Sequence, residues 1–140
     1  MSLCLIDTGP LVAYLDAHDA AHETVASSLG RFSGRLATTS AVIAESMHFV
    51  SDTPDGPRTL VELLEAARLE VFDLCQPPEI REAVTLMETY SDTPMDFADA
   101  TLVLLSEGLQ IDRIFTLDRR GFSTYRTRQG RAFQQMLDFD

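Results

Sequence analysis

Lysine is absent from this 140-residue sequence, and all eleven basic residues are arginine. That removes the ammonium group with which phosphoryl-accepting aspartate pockets contact an acyl phosphate, and no DxD follows the first apolar run either. Cysteine is scarce: Cys4 and Cys75 stand alone, with no CxxC. This excludes a disulfide framework and predicts two reduced core thiols. The three histidines, His18, His22 and His48, are too few for a zinc cluster. His18 and His22, at i and i+4 without an HExxH, read as a solvated pair on one helix face. No apolar run approaches the roughly 20 residues of a membrane span. The opening MSLCLIDTG has no basic segment and turns acidic at Asp7; the chain therefore reads as cytoplasmic, without a signal peptide or a membrane partner. Repeats, low-complexity tracts and long linkers are also missing, which predicts a single domain over 1–140.

What is abundant is acid. Twenty-two Asp and Glu against eleven Arg give a net charge of −11, which opposes passive binding of a phosphate backbone. Bound divalent cations would locally reverse that field. The arginines are unevenly placed, with Arg113, Arg119, Arg120, Arg126, Arg128 and Arg131 in one stretch.

Strand and helix signals alternate along the chain. LCLI (3–6) is a short apolar run suited to a buried strand, and Asp7-Thr8-Gly9-Pro10 opens a helix continuing through LVAYL. A helix over about 19–29 should stop at Gly30. LATT (36–39) is strand-like, after which Ser40 is placed to cap a helix through Val50. A turn-rich loop (52–57), a helix over 58–67 and a strand over 69–74 follow. The next helix runs from Gln76-Pro77-Pro78 to Tyr90, and another covers 96–107 with Gly108 as its stop. Residues 113–116 read as a strand, 122–125 as a last strand and 129–137 as a short helix. This alternation predicts an α/β fold with a mainly parallel sheet, in which ligands bind beyond the carboxyl ends of the strands.

Several acids fall at that place. Asp7 follows the first strand, Asp118 follows the strand 113–116, and Glu45 lies early in the helix after the second strand. Asp96 and Asp99 share the first turn of a helix, where an acid can also simply favour the helix dipole. Carboxylates gathered in a crevice repel one another and raise each other's pKa unless a cation is present. Hard oxygen donors suit magnesium or manganese.

LIDTG (5–9), TSAVIAE (39–45), PMDFADATLVLLSE (94–107) and IFTLDRRGF (114–122) together resemble the PIN-domain ribonucleases, most closely the bacterial VapC-type toxins. The motifs occur in the family's order and span nearly the whole chain. The resemblance implies a three-layer α/β/α fold and magnesium- or manganese-dependent endoribonuclease activity with one or two ions. It assigns Asp7, Glu45, Asp99 and Asp118 as catalytic metal ligands. Asp96 matches no universal position and is kept as an auxiliary ligand, while Thr8 and Thr116 are placed to hydrogen-bond the ligand carboxylates. Arg119 and Arg120 become candidate RNA phosphate contacts. The resemblance also implies a cognate antitoxin covering the acidic crevice, and a homodimer.

Asp7-Thr8-Gly9 is also the aspartic protease triplet, but that chemistry needs an all-β fold and a partner aspartate sharing one proton. The alternative is a catalytically silent PIN-like module that binds RNA or a protein. A lapsed site would be expected to lack one of the four acids, and all four are present.

Overall fold

The computed structural model describes residues 2–139. Five strands form one parallel sheet: β1 (Leu3–Ile6), β2 (Arg35–Thr39), β3 (Glu70–Phe72), β4 (Arg113–Phe115) and β5 (Gln134–Gln135). Their order is β3-β2-β1-β4-β5. The α/β fold with a parallel central sheet is therefore as expected. β1 is central, paired to β2 and β4, and Cys4, Leu5 and Ile6 are fully buried. A strand covered on both faces carries an unbroken apolar run, which LCLI is.

Among the described residues, seven helices connect the strands: α1 (Thr8–Leu15), α2 (His22–Arg31), α3 (Ser40–Val50), α4 (Gly56–Ala66), α5 (Pro77–Thr89), α6 (Phe97–Leu109) and α7 (Arg119–Thr124). α1 packs on α2, α3 and α4, while α6 packs on α5, α3 and β2. Every residue of α6 from Ala98 to Ser106 is buried, so over that stretch the helix has no solvated stripe, and its apolar residues are joined by buried Asp99, Thr101 and Ser106.

The strand order fixes where the chemistry can sit. The chain runs β1, β2, β3 in one direction, then returns to place β4 on the other side of β1. Connections leave the carboxyl ends of β1 and β4 in opposite directions, which opens a crevice there. Asp7 N donates to Phe115 O at 3.0 Å, so the β1–β4 ladder holds up to the first crevice residue.

Several expectations need correction. Gly30 and Gly108 stop nothing, since α2 continues to Arg31 and α6 to Leu109. The α6 stop is Gln110, left-handed at φ 54°, whose N–H donates to Ser106 O. Thr39, not Ser40, caps α3, its hydroxyl accepting from Val42 N at 3.3 Å. The C-terminal assignments were reversed: residues 119–124 are helix α7, and the stretch expected to be helical contains β5, paired to β4. Phe122 and Tyr125 are three residues apart, a helical spacing, and pack edge to face at 5.1 Å in the core. His18 lies in the turn before α2, so it shares no helix face with His22, whose Nδ1 is bonded to Ala13 O at 2.8 Å. Both thiols are free, but only Cys4 is buried in the core; Cys75 is half-buried against Ser40.

Candidate active site

The expected acids reach the crevice from four helices. Asp7 is the N-cap of α1, Glu45 projects from α3, Asp96 caps α6, Asp99 lies in the first turn of α6, and Asp118 caps α7. All five line one cavity of about 590 Å³, together with Thr8, Gly9, Val12, Asp19, Phe49 and Leu117. A cap residue sits where backbone N–H groups are left without helical partners. The same short side chains that start these helices are thereby aimed into the crevice.

The Asp7 carboxylate is clamped. Thr8 N donates to Oδ1 at 2.8 Å and the Thr116 hydroxyl donates to Oδ2 at 2.9 Å. Thr116 Oγ1 in turn accepts from Asp118 N at 3.0 Å, and Asp118 Oδ1 accepts from Gly121 N at 3.0 Å. One hydroxyl thus ties the acid after β1 to the acid after β4. A Cβ on Gly121 would collide with the Asp118 carboxylate, so a side chain there would push that acid out of its present place.

Asp96 and Asp99 form a reciprocal capping box. Asp99 N donates to Asp96 Oδ1 at 2.8 Å, and Asp96 N donates to Asp99 Oδ2 at 3.2 Å. Behind them, Thr39 Oγ1 and Thr101 Oγ1 are hydrogen-bonded at 2.8 Å. That buried contact fastens the start of α3 to the first turns of α6, and so sets Glu45 against Asp96 and Asp99. The Tyr125 hydroxyl donates to Pro94 O at 2.6 Å and braces the loop before Asp96.

The electrostatics are uncompensated. Burial, opposed by its two clamping hydrogen bonds, pushes Asp7 up to about 6, with Asp96 and Glu45 adding to the rise. Asp99 is pushed up to about 9, first by burial and then by the charges of Asp7 and Asp96. Glu45 is raised by burial and by Asp96. No arginine or histidine lines the cavity. Thr8 Oγ1 is buried beside Glu45, and its hydroxyl opposes the rise in the Glu45 pKa. Among the described residues, no three acidic, histidine or cysteine side chains close around a single point; the acids line a cavity instead. An all-oxygen donor set with excess negative charge fits a hard divalent cation.

The PIN domain family matches residues 4–127, a span that includes every acid of the cavity. The chain belongs to the PIN-domain family. It is 32% identical over 131 residues to the Mycobacterium tuberculosis protein "Ribonuclease VapC26", covering 92% of this chain and 96% of that one. The fold is also that of M. tuberculosis VapC20, whose crystal structure is described as a sarcin–ricin loop cleaving toxin. There the TM-score is 0.75 at 17% identity, with 84% of this chain and 91% of that chain covered. The resemblance to VapC-type proteins drawn from the sequence motifs is thus supported by sequence and by fold.

Within this PIN domain the arginine-rich stretch does not act as one patch. Arg113 lies 5.6 Å over the Phe32 ring and bonds to Leu3 O, at the amino end of the sheet. Arg126 closes the end of α7 through Ser123, Thr124 and Tyr125 carbonyls. Arg128 is paired with Glu107 and Glu82. Arg119 and Arg120 are exposed beside Asp118, with the Arg119 guanidinium 4.8 Å over the Phe139 ring. Sequence reasoning missed Asp19 and Phe49 in the cavity wall. Phe49 had a signal, lying four residues after Glu45 on α3, whereas Asp19 had none.

Proposed function

We propose that this PIN domain is a divalent-metal-dependent endoribonuclease that hydrolyses RNA phosphodiester bonds, acting as the toxin of a toxin–antitoxin pair. The observation that carries the reading is the placing of buried Asp7 and Asp99 in one cavity whose described lining includes no basic side chain, both held toward their protonated forms. Folding gains nothing from such an arrangement, whereas ligand binding does. The ribonuclease name of the relative that matches nearly the full chain points the same way.

Asp7, Glu45, Asp99 and Asp118 would hold one or two Mg2+ or Mn2+ ions, with Asp96 as an auxiliary ligand. Bound there, such ions activate water and offset charge on phosphodiester oxygens. The protein's own contribution is orientation. Thr8 N and the Thr116 hydroxyl fix the plane of the Asp7 carboxylate, and Gly121 N fixes Asp118. Asp99, whose pKa is raised in the absence of a cation, would have to ionise to serve as a ligand. The acid-lined cavity adjoins a second one of about 520 Å³, lined by Met87, Tyr90, Ser91, Pro94 and Met95, which shares Asp96, Asp99 and Asp118. Acids lying along a groove suit a strand passing through, hence internal cleavage.

Two partners belong to the proposal. A net charge of −11 complements a basic antitoxin segment reaching into the crevice, and VapC-type resemblance suggests a homodimer. Arg119 and Arg120, exposed beside Asp118, are placed to meet the phosphates of the leaving strand. Arg119→Glu with Arg120→Glu should weaken RNA binding and lower its salt slope by about two, roughly one per phosphate contact. A filter-binding titration over a salt series checks this, and unchanged binding rejects the contacts.

The function is tested by incubating purified protein with a mixed cellular RNA pool and Mn2+ or Mg2+, with EDTA as control and ends read by sequencing. Discrete cuts bearing 5′-phosphates and 3′-hydroxyls are expected, because water rather than the 2′-hydroxyl is the nucleophile. Ends carrying 2′,3′-cyclic phosphate would reject hydrolysis by water. Absence of cutting, with no effect of metal on heat stability, would favour the silent module.

A further inference from the structure

A nucleotide presents a charged phosphate and an apolar base, and the cavity treats the two differently. Besides Thr8 and Gly9, its lining consists of six acids and three apolar side chains, Val12, Phe49 and Leu117. With no cation in the wall, the protein itself repels the phosphate, and attraction there depends on bound ions. Within the cavity lining, the apolar side chains can attract part of the substrate independently of metal.

Phe49 is the most exposed of them. The residue is 60% accessible, the highest value among the large apolar residues described, and its ring meets His48 edge-on at 5.9 Å. It leaves α3 one turn after Glu45, so the two share a helix face that looks into the same cavity. A phenyl ring left in water beside a cluster of carboxylates is a standing cost to the folded protein. Every nucleobase has a flat face that recovers that cost, and aromatic stacking of single-stranded bases tolerates sequence.

We propose that Phe49 is the platform on which a nucleobase flanking the scissile phosphate stacks, positioning that phosphate over the acids. The inference rests on the nuclease reading above. It makes Phe49 a selector of unstacked nucleotides, since bases inside a duplex have both faces covered by their neighbours.

The test is a double-mutant cycle on kcat/KM with Mn2+, using a short oligoribonucleotide that the wild-type protein cuts. In the cycle, Phe49→Ala is combined with an abasic nucleotide placed in turn on each side of the cut. Phe49→Ala should lower kcat/KM about tenfold or more on the intact strand. An abasic nucleotide on one side should cost the wild type a similar factor and cost Phe49→Ala nothing further. Phe49→Trp should keep the activity and the sensitivity to base loss. Independent, multiplying losses on both sides would overturn the platform while leaving the nuclease standing. So would full activity of Phe49→Ala, or a lowered native mass of that variant by light scattering without change in base dependence, which would assign the ring to a protein interface. A wild type that cuts no RNA in the pool, and whose heat stability Mn2+ leaves unchanged, would remove the nuclease reading and the platform together.

Discussion

Asp99→Asn should abolish RNA cleavage while leaving a folded protein that, stripped of metal, resists heat better than the wild type at pH 8. The two effects share one cause. Asn keeps the size of the side chain and an oxygen that can accept from Asp96 N, so the capping box that starts α6 survives. It lacks the charge that a divalent cation needs. Loss of activity should therefore exceed the roughly 10–100-fold expected when a residue that merely supports a ligand is changed. Stability moves the other way. At pH 8 the unfolded wild-type chain ionises Asp99 freely, whereas the folded chain holds the proton because burial, Asp7 and Asp96 oppose the charge. That difference favours unfolding, and Asn removes it. Each 1 kcal/mol recovered raises Tm by about 4 °C in a domain of this size. The measurement is thermal unfolding in EDTA alongside the cleavage assay. Unfolding of Asp99→Asn would make Asp99 a helix cap and nothing more, and retained cleavage would remove it from the ligand set.

The acids were readable because their positions follow from local rules. An apolar four-residue strand ending in Asp-Thr-Gly-Pro leaves little choice for Asp7, and IFTLD does the same for Asp118. Once both strands are parallel neighbours, the two acids share a crevice. Glu45 was harder, since its meeting with Asp96 depends on the buried Thr39–Thr101 contact between residues 62 apart. Elements decided by tertiary contacts were misread. Gly108 looks like the end of α6, but Ser106 sets the end by bonding Ile111 through both its carbonyl and its hydroxyl. The last 20 residues carry weak local patterns. Asp118 capping Gly121 N makes the first of them helical, and pairing with β4 makes Gln134 and Gln135 a strand. Phe49 carried the right spacing, yet an aromatic on a helix is ordinarily read as core until its exposure is known.

The metal-free protein should lose stability steadily as pH rises from 4 to 9, and Mn2+ should reverse that trend. Asp7 has its pKa raised from an ordinary 3.8 to about 6 in the folded state. Between those values the folded chain binds more protons than the unfolded one, so the slope of unfolding free energy with pH is negative. The stabilisation relative to ionised acid is therefore present at low pH and lost as pH climbs through 6. For Asp7 alone the difference amounts to about 3 kcal/mol. Asp99, raised to about 9, extends the decline through the neutral range. The sign is opposite to that of a surface carboxylate held low by an arginine, whose contribution is lost on acidification. A cation that binds the ionised acids competes with protons. With Mn2+ present the same groups should add stability as pH rises from 6 to 8, because fewer protons need displacing. Melting curves at half-unit pH steps, with EDTA and with Mn2+, read both slopes. Parallel curves would mean that the cation does not reach these carboxylates. A metal-free curve that rises with pH would mean that the acids lie further apart, or in wetter surroundings, than the cavity places them. In Asp99→Asn the metal-free decline should level off about one unit above the Asp7 pKa of about 6, where that acid has largely ionised, which separates the two acids' contributions in one titration.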